Sequence, residues 1–253
     1  MINYNLYILD SCKSTQEEVK YFLSSQGQEK FVAFLASEQT QGKGSYSREW
    51  VSEKGGLYLS FNYPFFKNLI PSSIVFSLIA IKSLKDYLLQ QKIALDNIGL
   101  IYPNDIVLKF NKDYYKLGGV LVETYKKFYI VGIGINVNNS VLNYKFEHRA
   151  ISLKEYFQLY ENISKEFDVV EIGKKILHNV VSFKYDQEEL FKELEKFDFS
   201  SEIQNVEVLF FWDGEKKDKF DKIKIDYLNN KIVLYKERMR KELEFEKIFR
   251  IMY

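Results

Sequence analysis

Short apolar runs divided by polar turns predict strands in the first part of the chain. Residues 4–10 and 57–63 carry the patterns of half-buried strands, and residues 31–37 form a short continuous apolar run. Ser14 and Glu17 have the spacing of a capping box ahead of an apolar helical face. The order predicted here is therefore strand, helix, strand, strand.

The middle of the chain mixes helical and strand periodicity. Pro71 begins a long amphipathic helix that extends to about residue 91. Three strands are predicted at 105–110, 116–124 and 128–137, and helical periodicity dominates from 151 to 197. This pattern is typical of an α+β domain.

The last part of the chain returns to short strands. We expect them at residues 206–212, 222–227, 231–235 and 243–250, with turns at Asp213-Gly214 and Asn229-Asn230. They predict a small β-barrel over residues 201–253, appended to a larger domain over residues 1–200.

Composition narrows the class of protein. Lys and Arg total 36 against 35 Asp and Glu, so the basic excess of a nucleic-acid binder is missing. Cys12 is the one cysteine, and with His148 and His178 it offers no zinc set. No secretory signal and no apolar stretch of about 20 residues is found, so we expect a cytoplasmic protein away from membranes.

Glycine is concentrated in one region of the sequence. Nine of the 12 glycines lie between positions 42 and 134, and eight of them form the pairs 42/44, 55/56, 118/119 and 132/134. Glycine in a strand marks either a bulge or a close approach of a ligand to the backbone. The clustering favours a ligand cleft, although neither a Walker loop nor a dinucleotide fingerprint fits.

Three polar segments are candidates for that cleft. The loop 38–50 combines glycines with Lys43 and Arg48, which suits either an anion-binding nest or a surface loop. Lys116, predicted to share a strand face with Gly118, is either a pocket cation or a strand-end charge in water. The corner 102–105 serves either as a simple turn or as an amide and a carboxylate that face Mg²⁺ or a purine.

Six segments, in this order, resemble the biotin protein ligase family over essentially the whole chain. The pattern of the family is a Ser-Thr-Asn turn, a Gly-Arg-Gly-Arg loop ending in Trp, Asn-Leu-Tyr-Leu-Ser, Trp-Pro-Asn-Asp, Lys-Leu-Ala-Gly-Ile-Leu-Val-Glu and a Gly-x-Gly-x-Asn strand. The matching segments are Ser14-Thr15-Gln16, 39–50, 56–60, 102–105, 116–123 and 132–137.

The resemblance implies a catalytic domain with a mixed, mostly antiparallel sheet and flanking helices, similar to class II synthetases, plus a C-terminal SH3-like barrel. It implies an enzyme that joins biotin to ATP as an adenylate and transfers it to a lysine of a biotin carboxyl carrier protein, with Mg²⁺ carried by ATP. The family often forms homodimers. Because the Ser-Thr turn lies at residue 14, the N-terminal DNA-binding winged helix of many members is not expected.

The same resemblance implies roles for individual residues. Lys116, Arg48 and Asp105 are the expected catalytic residues, with Lys116 bridging the biotin carboxylate and the α-phosphate. Asn104 and Asn136, with Lys116, are expected to bind ATP. The residues expected to contact biotin or the adenylate are Ser14, Thr15, Gln16, Gln39, Gly42, Lys43, Gly44, Ser45, Trp50 and Gly118.

The sequence departs from the family pattern near the phosphates. Lys43 and Ser45 stand where two arginines are usual, Ile101 stands where lysine is usual, and Gly56 stands where asparagine is usual. Two other functions stay open: a lipoate or octanoyl ligase or transferase, because it shares this fold, and a non-catalytic biotin-binding protein, because of the missing cations. The Arg-Arg-x-Ser-Gly-Gly-Gly segment typical of the lipoate group is absent, and Cys12 is poorly placed for octanoyl transfer.

Overall fold

The computed structural model describes residues 4–26, 31–45, 48–66, 70–142, 144, 149–184, 186–210, 217–229, 231–237, 239–245 and 248–252. The larger sheet has seven strands in the order β1-β2-β3-β7-β6-β5-β4. Its strands are β1 (Asn5–Leu9), β2 (Val32–Ala36), β3 (Leu57–Pro64), β4 (Ile98–Ile101), β5 (Asp105–Phe110), β6 (Asp113–Tyr125) and β7 (Phe128–Ile135). Only β1 and β2 pair in parallel, so the predicted mixed, mostly antiparallel sheet is confirmed.

Five helices of the described chain accompany the strands: α1 (Thr15–Ser25), α2 (Ser72–Gln90), α3 (Leu153–Tyr160), α4 (Val169–Ser182) and α5 (Gln187–Phe197). Helix α1 packs Val19 and Leu23 on one face of the sheet. Helix α2 covers the opposite face and packs against α4. Because β2 is buried on both faces, its apolar run is continuous rather than alternating.

The predicted capping box at the start of α1 is wrong. Ser14 is the N-cap residue but makes no side-chain cap hydrogen bond, and it is buried. Glu17 does not close the box because its carboxylate contacts Lys43 and Lys20 instead. The capping box of this fold lies at α3, between Ser152 and Glu155.

The C-terminal strands form a second sheet of five strands in the order β11-β10-β9-β8-β12. They are β8 (Gln204–Phe210), β9 (Lys217–Asp226), β10 (Lys231–Lys236), β11 (Met239–Glu244) and β12 (Ile248–Met252). The strand predicted at 243–250 is wrong, because residues 239–252 form two strands, β11 and β12. The Asp213-Gly214 turn and Asn230 lie outside the described residues.

The C-terminal segment that carries the second sheet contacts the chain just after β4. The hydroxyl of Tyr102 donates a hydrogen bond to the carbonyl of Phe245 at 2.8 Å, and the two rings stack at 5.6 Å. The Tyr102 amide donates to the Ser200 hydroxyl at 2.9 Å. The described pairings run in an open order from β11 to β12, so closure into an SH3-like barrel stays a prediction.

Candidate functional site

A cavity of about 410 Å³ opens where the N-terminus of α1, the loop 38–52 and strands β6 and β7 meet. Most residues predicted from the sequence line it, although they come from distant parts of the chain. They are Ser14, Thr15, Gln16, Gln39, Lys43, Gly44, Ser45, Arg48, Trp50, Asn104, Asp105, Lys116 and Asn136. The cavity is therefore one site, whereas the role of each residue stays a prediction.

Lys116 points into this cavity rather than into bulk water. Its Nζ lies 2.5 Å from the Oδ1 of Asp105 and 5.5 Å from the centre of the Trp50 ring. The side chain of Lys116 is 20% exposed and that of Asp105 is 7% exposed. A charge this poorly hydrated is retained because an opposite charge touches it. The alternative of a strand-end charge in water is thereby excluded.

A β-bulge sets the direction of Lys116. Ile106 pairs with Gly118 but Val107 pairs with Lys116, so Leu117 is an extra residue in β6. The expected shared face of Lys116 and Gly118 is therefore wrong, because the extra residue interrupts the two-residue alternation. Gly119, not Gly118, lines the cavity beside Lys116.

Gly42 also lies outside the cavity wall. A Cβ at this position would come within 2.3 Å of the Trp50 carbonyl oxygen and 2.4 Å of the Ser52 hydroxyl. The Trp50 amide donates to the Gly42 carbonyl at 2.9 Å. Gly42 thus allows the two ends of the loop to touch, rather than contacting a ligand from the wall.

The polar end of the cavity is a set of interlocked side chains. The Oε1 of Gln39 accepts hydrogen bonds from the Thr15 amide at 2.8 Å and from the Thr15 hydroxyl at 3.1 Å. The Nε2 of Gln39 donates to the Ser52 hydroxyl at 2.8 Å. Thr15 and Ser60 hydroxyls lie 2.7 Å apart. The mutual hydrogen bonds of these groups fix their positions.

Two glycines of β7 make room for larger side chains. The Gln16 side chain lies against Gly132, where a Cβ would be 2.9 Å from its amide carbon, and its Nε2 donates to the carbonyls of Leu121 and Ile130, each at 3.3 Å. The Trp50 indole lies against Gly134. The glycine pair at 132 and 134 is therefore explained by close approach of protein groups.

The cations of the loop already have protein partners. The Nζ of Lys43 lies 2.6 Å from a carboxylate oxygen of Glu17, and this contact is the main cause that lowers the pKa of Glu17. The Nε of Arg48 donates to the Ser45 carbonyl at 2.9 Å. The Nδ2 of Asn104 donates to the Ser45 hydroxyl at 3.0 Å. The loop is thus fastened to α1 and to the 102–105 corner.

Cys12 is not part of the cavity lining. Burial, with a smaller contribution from Glu18, raises the pKa of its thiol to about 11. A thiol with this pKa is almost entirely protonated near neutral pH, and the thiolate is the nucleophilic form. Cys12 is therefore unsuited to the acyl-transfer chemistry of an octanoyl transferase, as expected from its place in the sequence.

Several lining residues were not among the site residues predicted from the sequence: Tyr58, Ser60, Gly119, Gly132, Gly134, Val141 and Ala150. The glycines and residues 58–60 lie in segments that carried a signal, namely the glycine pairs and the family resemblance. Val141 and Ala150 carried none, because small apolar residues in a loop are unremarkable. His148 lies outside the described residues.

Within the described part of the chain, no three His, Cys, Asp or Glu side chains are grouped to bind a metal ion. None of the described helices is long and apolar enough to cross a membrane.

Comparison with known proteins agrees with this geometry. The model of the biotin/lipoate A/B protein ligase family matches residues 8–138, and the chain belongs to this family. It is similar to the biotin–protein ligase of Homo sapiens, with 31% identity over 148 residues. That match covers 49% of this chain and 19% of the human protein, so the chain spans about a fifth of that relative's length.

Solved structures extend the similarity to the whole chain. The biotin protein ligase from Aquifex aeolicus in complex with biotin and ATP is 29% identical, with a TM-score of 0.69, and the match covers 97% of each chain. The biotin protein ligase from Leishmania major in complex with biotin is 18% identical, with a TM-score of 0.65, covering 95% of this chain and 98% of that one. The latter likeness concerns the fold alone.

Proposed function

We propose that this chain is an ATP-dependent biotin protein ligase, which forms biotinyl-AMP and transfers biotin to a lysine of a biotin carboxyl carrier protein, as in acetyl-CoA carboxylase. One observation carries the proposal. The poorly hydrated ammonium of Lys116, held by Asp105, faces a cavity that also contains the polar cluster of Thr15 and Gln39. The complex of the similar Aquifex aeolicus enzyme with biotin and ATP supports the choice of substrates.

In the first step, a carboxylate oxygen of biotin attacks the α-phosphorus of ATP. The bond from that phosphorus to the bridging oxygen of the β-phosphate breaks, and pyrophosphate leaves. Two anions must approach each other, so catalysis depends on positioning and on charge neutralisation. Lys116 supplies the positive charge between the two anions, and Asp105 keeps its Nζ at that point.

In the second step, the amine of the acceptor lysine attacks the acyl carbon of the mixed anhydride. An amide bond forms, the acyl–oxygen bond to AMP breaks, and the amine loses a proton. We assign Asp105 to orient Lys116 and the incoming lysine, and Arg48 to balance the charge on the adenylate. The backbone of Gly44 and Ser45 covers the anhydride and slows its hydrolysis by water.

The other lining residues divide between the two substrates. Ser14, Thr15, Gln16 and Gln39 lie at the polar end, which suits the ureido ring of biotin, and Trp50 closes over it. Asn104 and Asn136 lie at the Lys116 end, which suits ATP. Because the described residues offer no cage of carboxylates, Mg²⁺ fits here as an ion bound mainly by the phosphates of ATP.

We also propose that residues 1–200 form the catalytic domain and that residues 201–253 form an SH3-like barrel. The five-stranded order of the second sheet and its contact with Tyr102 support this division. Tyr102 precedes Asn104 and Asp105 by two and three positions. The barrel therefore acts on the cavity through the backbone of the 102–105 corner.

A transfer assay tests the proposed function. The purified chain is incubated with ATP, labelled biotin and a biotin carboxyl carrier domain, in parallel with labelled lipoate and a lipoyl domain. We expect label on the carrier from biotin only, and none without ATP. Label only from lipoate would show a lipoate ligase, and biotin binding without transfer would show a non-catalytic protein.

A further inference from the structure

The first turn of α3 gathers three segments of the cavity rim. The Leu153 amide donates to the Asn136 carbonyl at 3.0 Å, which fixes the end of β7. The segment 149–151 pairs with β6, with the Lys116 amide donating to the Arg149 carbonyl at 2.7 Å and the Ile151 amide donating to the Lys116 carbonyl at 3.0 Å. The backbone of Lys116 is therefore hydrogen-bonded to the segment that immediately precedes α3.

The carboxylate of Glu155 joins these two segments to the third, residues 140–142. The Oε1 of Glu155 accepts hydrogen bonds from the Val141 amide at 2.9 Å, from the Leu142 amide at 3.3 Å and from the Ser140 hydroxyl at 3.2 Å. Its Oε2 accepts from the amide and the hydroxyl of Ser152, at 2.8 and 3.0 Å. Five donors thus converge on the side chain of Glu155, although a capping box needs only one of them.

The hydrogen bonds of Glu155 to residues 140–142, which the helix cap does not need, affect the cavity. Val141 and Ala150 are both lining residues, and Ala150 also forms a β-bridge with Lys116. Charge-assisted hydrogen bonds to one carboxylate set the spacing between these segments. A shift of one segment relative to the other would therefore change the shape of the cavity.

We infer that Glu155 is a positioning residue for the nucleotide end of the cavity. Its carboxylate fixes the segment of Val141 relative to the segment that pairs with Lys116 and thereby shapes the cavity wall, without touching the substrate. The nucleotide assignment rests on the proposed function, in which Lys116 and Asn136 face ATP. The polar biotin end, built from Thr15 and Gln39, has no hydrogen bond to α3 among those described.

Glu155→Asp separates the hydrogen bonds to the Val141 and Leu142 amides from the capping of α3. The shorter carboxylate can still cap α3 at Ser152, but it cannot also reach the amides of Val141 and Leu142. Glu155→Gln is the second variant, because an amide turns one of the two acceptor oxygens into a donor facing other donors. Glu171→Gln is the matched control, since Glu171 occupies the same position in the first turn of α4 and pairs with Lys174 away from the cavity.

The experiment measures direct binding of ATP and of biotin by calorimetry, and hydrogen exchange of the Val141 and Leu142 amides. In both Glu155 variants we expect the dissociation constant for ATP to rise about tenfold, that for biotin to change less than about twofold, and the two amides to exchange faster. The control is expected to match the wild type in all three.

Equal weakening of both ligands, or unchanged exchange at the two amides, would overturn the inference. Failure of both variants to fold would do so too, since it would assign Glu155 to the fold alone. None of these readouts requires turnover. A wild-type chain that bound both ligands but labelled no carrier would refute the proposed function and leave the inference about Glu155 to be decided by its own data.

Discussion

The indole ring of Trp50 lies so close to Gly134 that a Cβ at position 134 would come within 2.8 Å of the ring. The same ring is 5.5 Å from the Nζ of Lys116. Trp50 ends the loop that closes over the cavity, and Gly134 is in the middle of the sheet. The bare backbone of Gly134 therefore makes room for the indole ring that Lys116 faces.

The first prediction follows from this contact. Gly134→Ala should displace the Trp50 ring, because overpacking of this kind costs about 1–3 kcal/mol and the loop gives way more easily than the sheet. We expect biotin binding to weaken by about tenfold or more, measured by calorimetry, with a change in tryptophan fluorescence.

Gly173→Ala is its control. Gly173 lies on α4, away from the cavity, and its added Cβ would contact Leu35 at 3.3 Å. Biotin binding should therefore be unchanged. If Gly134→Ala bound biotin like this control and left the fluorescence unaltered, the close approach of Trp50 to Gly134 would not contribute to biotin binding.

Lys116 supports a second prediction. Lys116→Ala should fold but lose adenylate formation by about 100-fold or more, because removing one preorganised charge or donor from a transition state has effects of this size. Biotin-dependent pyrophosphate release is the measurement. Asp105→Asn should lower the rate less, since the ammonium remains but is no longer held by an opposite charge.

The folding of Lys116→Ala is checked by its melting temperature and by retained biotin binding at the Thr15 end. Pyrophosphate release at the wild-type rate would remove Lys116 from the mechanism.

The direction of Lys116 shows how far the sequence could lead. Its strand was predicted, and its glycine neighbours and its likeness to the family motif are visible in the sequence, but the face predicted for it was wrong. The extra residue at Leu117 leaves no mark in the hydrophobic pattern, since a buried leucine fits a strand with or without a bulge. The pairing of β6 with β5 determines the direction of Lys116. The hydrophobic pattern of one strand does not show how it pairs with another.

The walls of the cavity divide in the same way. Thr15, Gln39 and Trp50 could be predicted because they lie in segments that resemble motifs of the family. Val141 and Ala150 could not, because their place depends on bonds from Glu155 and Lys116 to distant backbone groups. Likewise Glu17 was read as a helix cap, whereas a loop lysine 26 positions away takes its carboxylate.

Ser45 leads to a third prediction, about retention of the adenylate. Ser45 stands where an arginine is usual in the family, and its hydroxyl accepts a hydrogen bond from Asn104 rather than offering a positive charge. Biotinyl-AMP should therefore escape more readily than in a Ser45→Arg variant, by about tenfold for one charge-assisted contact. Labelling of lysines on an added bystander protein measures the escape.

The control is Ser45→Ala, which removes the hydroxyl without adding charge and should leak at least as much as the wild type. Equal bystander labelling by wild type and Ser45→Arg would contradict the expected effect of the missing cation.

The fourth prediction concerns Cys12. With a thiol pKa of about 11, Cys12 should react with iodoacetamide much more slowly at neutral pH than a free thiol of ordinary pKa. Cys12→Ser should transfer biotin at the wild-type rate, because the thiol lies outside the cavity lining. Loss of transfer in this variant, with the fold intact by circular dichroism, would support the alternative function of a cysteine-dependent acyl transferase.

The fifth prediction is a dependence of stability on pH at the junction with the second sheet. Burial raises the pKa of Asp198 from its ordinary 3.8 to about 6, although a hydrogen bond from Ser200 stabilises the charged form. The native state therefore holds this proton to a higher pH than the unfolded chain. Between about pH 4 and 6 it binds more protons, so stability falls as the pH rises through that window.

The largest effect that this shift allows is about 3 kcal/mol above pH 6. Asp198→Asn removes the titration and keeps an oxygen that can accept from the Ser200 amide, a bond of 2.8 Å in the native protein. The variant should gain stability at about pH 7.5 and lose none at about pH 4. Urea unfolding at both pH values measures the change. Asp96→Asn is the control, because its carboxylate is 89% exposed. If the Asp198 and Asp96 variants gave the same pH profile, the junction would contribute no proton linkage of its own.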